Sequence, residues 1–308
     1  MATNLSAFVD GKDQPLRVAE SPIPKPGPDD IIIRNRAIAV NTIDPAQRAG
    51  FQIKQYPAVV GMDLAGDVYE VGTNVSRFKQ NDRVIVHARQ FMTGLPEDGA
   101  FSLFCRIPAA NAALLPQEIG YTQGIVLPLA IDTAAGGFYQ PDYMGLDFPS
   151  LSARPDSRRE VVVVYGSSMS DLCRECGAAD VFDYKSASIV KDIAMAVGRD
   201  HFVGLYNAIG TPESFDVVTP MMAKLGGGFL ANTKPPEKLP DFIKARFVFA
   251  VNKFGWPVWK NWMGRAPTNG KRKCLPSAKV LGLELESLEQ AFKIRDGNVS
   301  GEKIVVKL

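Results

Sequence analysis

The residues best equipped for chemistry lie in one run, from Val161 to Lys185. Val161-Val-Val-Val-Tyr165 is apolar and largely β-branched, the pattern of a strand buried on both faces of a parallel sheet. Gly166, Ser167 and Ser168 follow at once. A glycine and small hydroxyl residues between a strand and a helix let backbone amides close around a phosphate; the same residues also make an ordinary strand-to-helix turn. Cys173 and Cys176 have the spacing of half a metal or redox site, or of one face of a short helix. The run ends in Asp183, Tyr184 and Lys185. The carboxylate suits a ribose hydroxyl, and a bare strand terminus uses none of the three.

The elements that must position these groups are short. Asp171 to Cys176 reads as a helix stopped by Gly177 in the left-handed conformation, and Val181 to Tyr184 as the next strand. A crossover between parallel strands takes a dozen or more residues, so Ser167 to Asp180 supplies one such unit and not two. The second glycine of G-x-G-x-x-G is missing, and Asp171 puts a carboxylate where a phosphate needs the positive end of the helix dipole. Farther on, Lys191 to Val197 reads as an amphipathic helix and His201 to Tyr206 as a strand ending at Asn207-Ala-Ile209-Gly210. Lys224 to Ala231 is the turn and strand that follow.

The chain's 308 residues suffice for two domains with cores of their own, and 46% hydrophobic with 22% charged residues is ordinary for a globular protein. A formal charge of +2 gives no reason to expect nucleic acid or a membrane as partner, and Lys271-Arg-Lys273 reads as a solvated loop. Four cysteines (Cys105, Cys173, Cys176, Cys274) and two histidines (His87, His201) make a zinc site hard to assemble. The first residues lack a leader pattern and no apolar run approaches membrane length, so a reducing cytoplasm is the expected compartment.

In the N-terminal part, Pro22, Pro24, Pro26 and Pro28 interrupt short alternating strands, Pro26 to Asp30 makes a turn, and Ile31 to Arg34 resumes a strand that Val40-Asn41-Thr-Ile-Asp44-Pro45 closes. Gly61, Gly66 and Gly72 between alternating residues indicate corners in a small, curved barrel. These residues carry a resemblance. Pro57-x-x-x-Gly61-x-Asp63-x-Ala-Gly66-x-Val68-x-x-Val71-Gly72, then Asp82-Arg83-Val84, is similar to the GroES-like domain of the medium-chain dehydrogenase/reductase superfamily. The similarity continues through Asp98 to Phe101, Pro116 to Ile119, Leu127 to Ala135, Val203 to Gly210, Leu225 to Phe229, Leu283 to Ala291 and Gly301 to Val306.

The resemblance implies an α/β fold with a GroES-like β-barrel catalytic domain (1–127 and 264–308). A Rossmann-like doubly wound parallel sheet (128–263) completes it, truncated between Gly166 and Asp171. About one helix and one strand are absent, on the order of 25 residues by usual element lengths. Zinc-dependent members need a cysteine on the first loop and a Gly-His-Glu; here Asn41-Thr-Ile-Asp44 and Gly61-Met62-Asp63 stand instead, which implies no zinc and a place in the quinone and enoyl reductase branch, nearest the fungal trans-acting enoyl reductases. That branch resembles itself in Asn-Pro-x-Asp-Trp-Lys, whose lysine lies at the substrate pocket; Ala46 takes the lysine's place here. The candidate catalytic residues are accordingly Asn41, Asp44 and Thr133. NADP is the implied cofactor, held by Gly166, Ser167, Ser168, Tyr184, Lys185, Asn207, Ile209, Gly210, Gly282 and Leu283. Asp183 read as a ribose ligand would favour NAD instead. Trp256, Trp259 and Trp262 suit a substrate groove or a core.

Two activities from different classes are therefore expected. In one, hydride passes from a nicotinamide to an activated alkene or a quinone, in a cleft between the domains. In the other, a cofactor-free descendant acts as a pericyclase-like cyclase or as a non-catalytic synthase partner, since such a step needs positioning more than acid and base. The implied substrate is a small or polyketide-like molecule, the implied partner a polyketide synthase, and the assembly a monomer or homodimer. A shortened, defective product with exposed sheet edges is the third reading.

Overall fold

Alternation of apolar and polar residues produces strands in both halves of the chain, and a computed structural model describes them for residues 3–148, 160–166, 170–236, 238–248, 274, 276–297 and 301–308. In chain order the strands are β1 (Asn4–Val9), β2 (Leu16–Ser21), β3 (Asp30–Val40), β4 (Ala58–Val59), β5 (Asp63–Val71), β6 (Arg83–His87), β7 (Phe104–Pro108), β8 (Ala112–Leu114), β9 (Glu160–Tyr165), β10 (His201–Asn207), β11 (Gly228–Asn232), β12 (Ile243–Phe247), β13 (Ser277–Gly282) and β14 (Glu302–Lys307). The helices are α1 (Ile43–Arg48), α2 (Gln90–Thr93), α3 (Tyr121–Gly124), α4 (Pro128–Tyr139), α5 (Ser170–Glu175), α6 (Ile189–Val197), α7 (Pro212–Lys224) and α8 (Leu288–Asp296). They group into two compact units, Met1–Ile131 with Trp256–Leu308, and Asp132–Gly255.

The first unit is organised on β3, whose eleven residues pair antiparallel with β14, β5 and β7. Side chains alternate across a strand, so β3 feeds two cores. Ile31, Ile33, Ile38 and Val40 join Phe101 and Phe292 in one. Ala37 and Ala39 join Ala65, Ile85 and Val305 in the other. Beyond Val40 the chain does not simply close the strand as expected: Asn41 and Thr42 lead directly into α1. Of the three glycines read as corners, only Gly61 has a left-handed backbone, at φ +98°. The other two are close approaches of backbone to backbone, since a Cβ on Gly66 would lie 2.2 Å from the Arg34 carbonyl oxygen and one on Gly72 2.1 Å from that of Gly27.

The second unit holds four parallel strands in the order β12-β11-β10-β9. Ile189, Ile193 and Val197 of α6 and Val218, Met221 and Met222 of α7 cover one face, over Leu205, Leu230 and Ile243. Met144, Tyr206, Ala231 and Val248 pack on the other with Phe138, Val162 and Phe229. Apolar side chains on both faces are what a doubly wound sheet requires.

One expected strand is absent. Val181 to Asp183 form neither strand nor helix and Tyr184 begins a turn, so among the described residues β9 is the edge of the sheet. The cause is reach. A six-residue helix spans about 9 Å, whereas a six-residue strand runs roughly 20 Å, so α5 does not return the chain to the starting end of the sheet for a further parallel strand. Val164, expected to be buried on both faces, is consequently 56% exposed. The helix itself lies where the spacing predicts, within a residue, and Gly177 follows it at φ +94°.

The backbone overlaps give a stability test. Gly66→Ala and Gly72→Ala are each expected to lose at least about 1–3 kcal/mol, the usual scale of forced overpacking. Denaturant melts followed by circular dichroism check it, and a wild-type midpoint in either variant would contradict the close approach.

Candidate active site

The strand registers of the first unit bring four chemically active side chains to one end of its sheet. Ile304 pairs with Val40, which sets Lys303 opposite Asn41. Ala39 pairs with Asp63, and Asp63 with His87. Asp63 is fully buried and its carboxylate is shared. Its Oδ2 accepts from Lys303 Nζ at 3.0 Å and from Asn41 Nδ2 at 3.0 Å, while Oδ1 accepts from the Leu129 amide at 2.8 Å. Leu129 is the second residue of α4, so the carboxylate caps the positive end of that helix. Lys303 Nζ also donates to Asn41 Oδ1. With both ends of its amide used, Asn41 has one orientation.

Asp44 stands beside this ring on the first turn of α1, fully buried. Its Oδ2 accepts the Asn41 amide hydrogen at 2.6 Å. No partner for Oδ1 occurs among the described residues. Burial pushes its carboxyl up to about 7 and the Asp63 charge adds to that, against the Asn41 hydrogen bond and the Lys303 and His87 charges. Asp44 is thus a buried carboxyl that can hold or release a proton near neutral pH, where an ordinary surface carboxylate cannot.

The expected catalytic pair Asn41 and Asp44 therefore meet, and two further residues, Lys303 and His87, belong with them. Lys303 lies in the Gly301 to Val306 stretch, yet its spacing from Asn41 gives no sign of contact; the antiparallel register of β14 on β3 makes it. As a zinc donor set the amide of Asn41, the thioether of Met62 and a carboxylate already held by an ammonium are unsuitable. Among the described residues no group of three or more His, Cys, Asp or Glu is placed to hold a metal ion.

In the second unit the carboxyl end of β10 is tightly built. Asn207 is fully buried, donates to Ser214 Oγ at 2.8 Å and accepts the amides of Ile209 and Gly210 at 3.2 and 3.0 Å. Gly210 has φ +63°, and a Cβ there would lie 3.0 Å from the Lys234 amide nitrogen. Gly166 lies beside this turn, since a Cβ on it would meet Ala208 at 2.9 Å and Ile209 at 3.4 Å. Tyr184 packs edge-on against Tyr165 with centroids 6.3 Å apart, and Lys185 Nζ lies 5.8 Å from the Tyr184 ring centre. Gly166, Tyr184, Ile209 and Asn207 thus gather at one edge of the sheet, although Tyr184 and Lys185 sit on a turn and not on the expected strand end. Asp183 spends a carboxylate oxygen on the Lys185 amide at 2.9 Å. Thr133, on α4, offers its carbonyl to the Tyr206 phenol at 2.9 Å. Gly282 packs close to Ser287 in the first unit, where Leu283 is exposed. Ser167, Ser168, Trp256, Trp259 and Trp262 lie outside the described residues. Cys173 is half-buried and Cys176 exposed, both as free thiols.

Comparison with known proteins fixes the family. The alcohol dehydrogenase GroES-like domain model matches residues 27–117. Dehydrogenase orsE of Emericella nidulans is 35% identical over 348 aligned positions that cover all of both chains. The chain belongs to the medium-chain dehydrogenase/reductase superfamily. It is an oxidoreductase of that type. Trans-enoyl reductase himH of Aspergillus japonicus is 27% identical over 91% of this chain and 90% of its own. A mycobacterial protein solved in complex with NADPH shares the fold, with a TM-score of 0.69, 19% identity and full coverage of both chains. The alignment with the Emericella dehydrogenase is 40 positions longer than the 308 residues of this superfamily member. No helix among the described residues is long and apolar enough to cross a membrane.

The raised Asp44 carboxyl predicts a pH dependence of stability. Between the unfolded value near 3.8 and the folded value of about 7 the native state binds more protons than the unfolded chain, so Asp44 costs stability as pH rises through that window. Asp44→Asn does not titrate. Its melting temperature relative to wild type is expected to improve steadily from pH 4 to 7 and stay level above; a constant difference would refute the assignment.

Proposed function

We propose that this superfamily member is a zinc-independent, NADPH-dependent enoyl reductase of fungal secondary metabolism, acting on the activated alkene of a small or polyketide-like substrate. Relatives named as trans-enoyl reductases support the reaction class. The observation that carries the reading is the Asn207-pinned Ile209–Gly210 turn, a tightly packed turn at the carboxyl end of a parallel sheet, where open sheets of this kind take their ligands. Asn207, Ile209 and Gly210 would hold the nicotinamide side, Gly166 the diphosphate side, and Tyr184 with Lys185 the 2′-phosphate. Reduced nicotinamide supplies a hydride when bound.

The chain's own groups then do the rest. A negative charge developing on a substrate oxygen needs fixed donors in a dry site, and an amide locked in one orientation, as in Asn41, costs no reorganisation. Asp44, protonated below about pH 7, holds a proton beside the backbone N–H of Asn41. Thr133 supplies a hydroxyl on α4. A quinone would use the same donors. The substrate reaches the enzyme from a polyketide synthase in the cytoplasm under this reading.

A second reading is favoured by one observation, that among the described residues β9 is an edge strand followed by a six-residue α5, which is little structure for the adenosine half of a dinucleotide. It makes the chain a cofactor-free cyclase or synthase partner. Titration with NADPH and NADH, followed by nicotinamide fluorescence, separates the two. Saturable NADPH binding that Lys185→Ala weakens about tenfold, roughly 1.4 kcal/mol, while leaving NADH binding unchanged, is the expected result. A well-folded sample that binds neither nucleotide would end the reductase reading.

A further inference from the structure

The polar end of the barrel poses a charge problem. Asp44 and Asp63 are both fully buried in one cluster, and two buried carboxylates need a cation or a proton. The groups that face it come from every element around it: Asn41 and Asp44 before and on α1, Asp63 on β5, His87 on β6, the Leu129 amide on α4 and Lys303 on β14. Arg295 of α8 is spent on Thr42 Oγ1 at 3.1 Å. Lys303 places its charge within hydrogen-bonding distance of the Asp63 carboxylate, with its side chain only 13% exposed.

We propose that the Lys303 ammonium is the resident cation of this site, doing in this chain what a bound metal ion would do: it neutralises Asp63, fixes the Asn41 amide and keeps a divalent ion out. Three features support it. The ammonium, the amide and the carboxylate close a ring in which each member contacts the other two. The opposite amide orientation would turn an NH2 group towards the ammonium, so the lysine selects the rotamer. The other oxygen of Asp63 is already taken by the Leu129 amide, so a metal ion at this carboxylate would have to displace Lys303 and Asn41 from Oδ2. Lys303 is a positioning residue in this account. The inference holds whether or not a nicotinamide nucleotide binds.

The test uses the full chain without nucleotide. Lys303→Met leaves Asp63 charged and unpaired and Asp63→Asn leaves the ammonium so; each is expected to lower the melting temperature by roughly 5–10 °C, and the double variant to recover most of it. Asp44 provides a readout that packing alone would not move: with the lysine charge gone, its carboxyl band in infrared or carbon NMR titrations shifts to higher pH, and Lys303→Arg returns it. Wild-type protein titrated with Zn2+ or Mn2+ should show no stoichiometric uptake and no rise in melting temperature. Uptake of one ion per chain that Asp63→Asn abolishes would overturn the proposal. So would a Lys303→Met protein with unchanged stability and unchanged Asp44 titration, or a double variant as unstable as the worse single. If Lys303→Met does not fold at all, folding of the double variant still decides for the ion pair and its failure against.

Discussion

A carboxylate with no access to water must be matched by donors on every side, and Asp63 shows what that demands of a fold. Its three hydrogen-bonding partners come from the chain after β3, from β14 and from the first turn of α4. None can be displaced without stranding a buried charge, which costs several times what a surface ion pair contributes. The alternation of β3 into two cores, the register of β14 and the entry of α4 all converge on that requirement. The barrel's apolar packing supplies most of its burial, but Asp63 decides which strands must be in place together.

The second unit is held by apolar packing on both faces of its sheet. Its helices α6 and α7 bury one face of β10 and β11 as a doubly wound sheet should, and Tyr206, fully engaged with Thr133, sits in the other face, where burial pushes its phenol well up. Among the described residues β9 has one neighbour, β10. A strand whose sequence is that of a sheet centre therefore occupies an edge. The four valines remain strand-forming because β10 pairs with them along their length, so local propensity and one neighbour suffice.

Much of this was legible in the sequence, and the failures have physical causes. Periodicity found the strands β9 and β10 and the helices α5 and α6 within a residue or two, because each signal is local. Gly66 and Gly72 were recognised as special but for a turn; their constraint is a carbonyl from a distant strand, which spacing does not report. Val181 to Tyr184 has strand composition and no room to pair. Asn41 and Asp44 were selected from a motif, whereas Lys303, 262 positions from Asn41, was not. Contacts of that separation are set by register alone.

The same separation has a consequence for how the protein is made. Asp63 leaves the ribosome 240 residues before Lys303. At about 5–20 residues per second that is an interval on the order of 10–50 s, during which Asp132–Gly255 is synthesised while the barrel lacks β14. Through that interval the nascent barrel carries an acidic pocket with no counter-charge and an unpaired flank on β3. The barrel end therefore stays open to water, or to a chaperone, until translation delivers the strand that closes it.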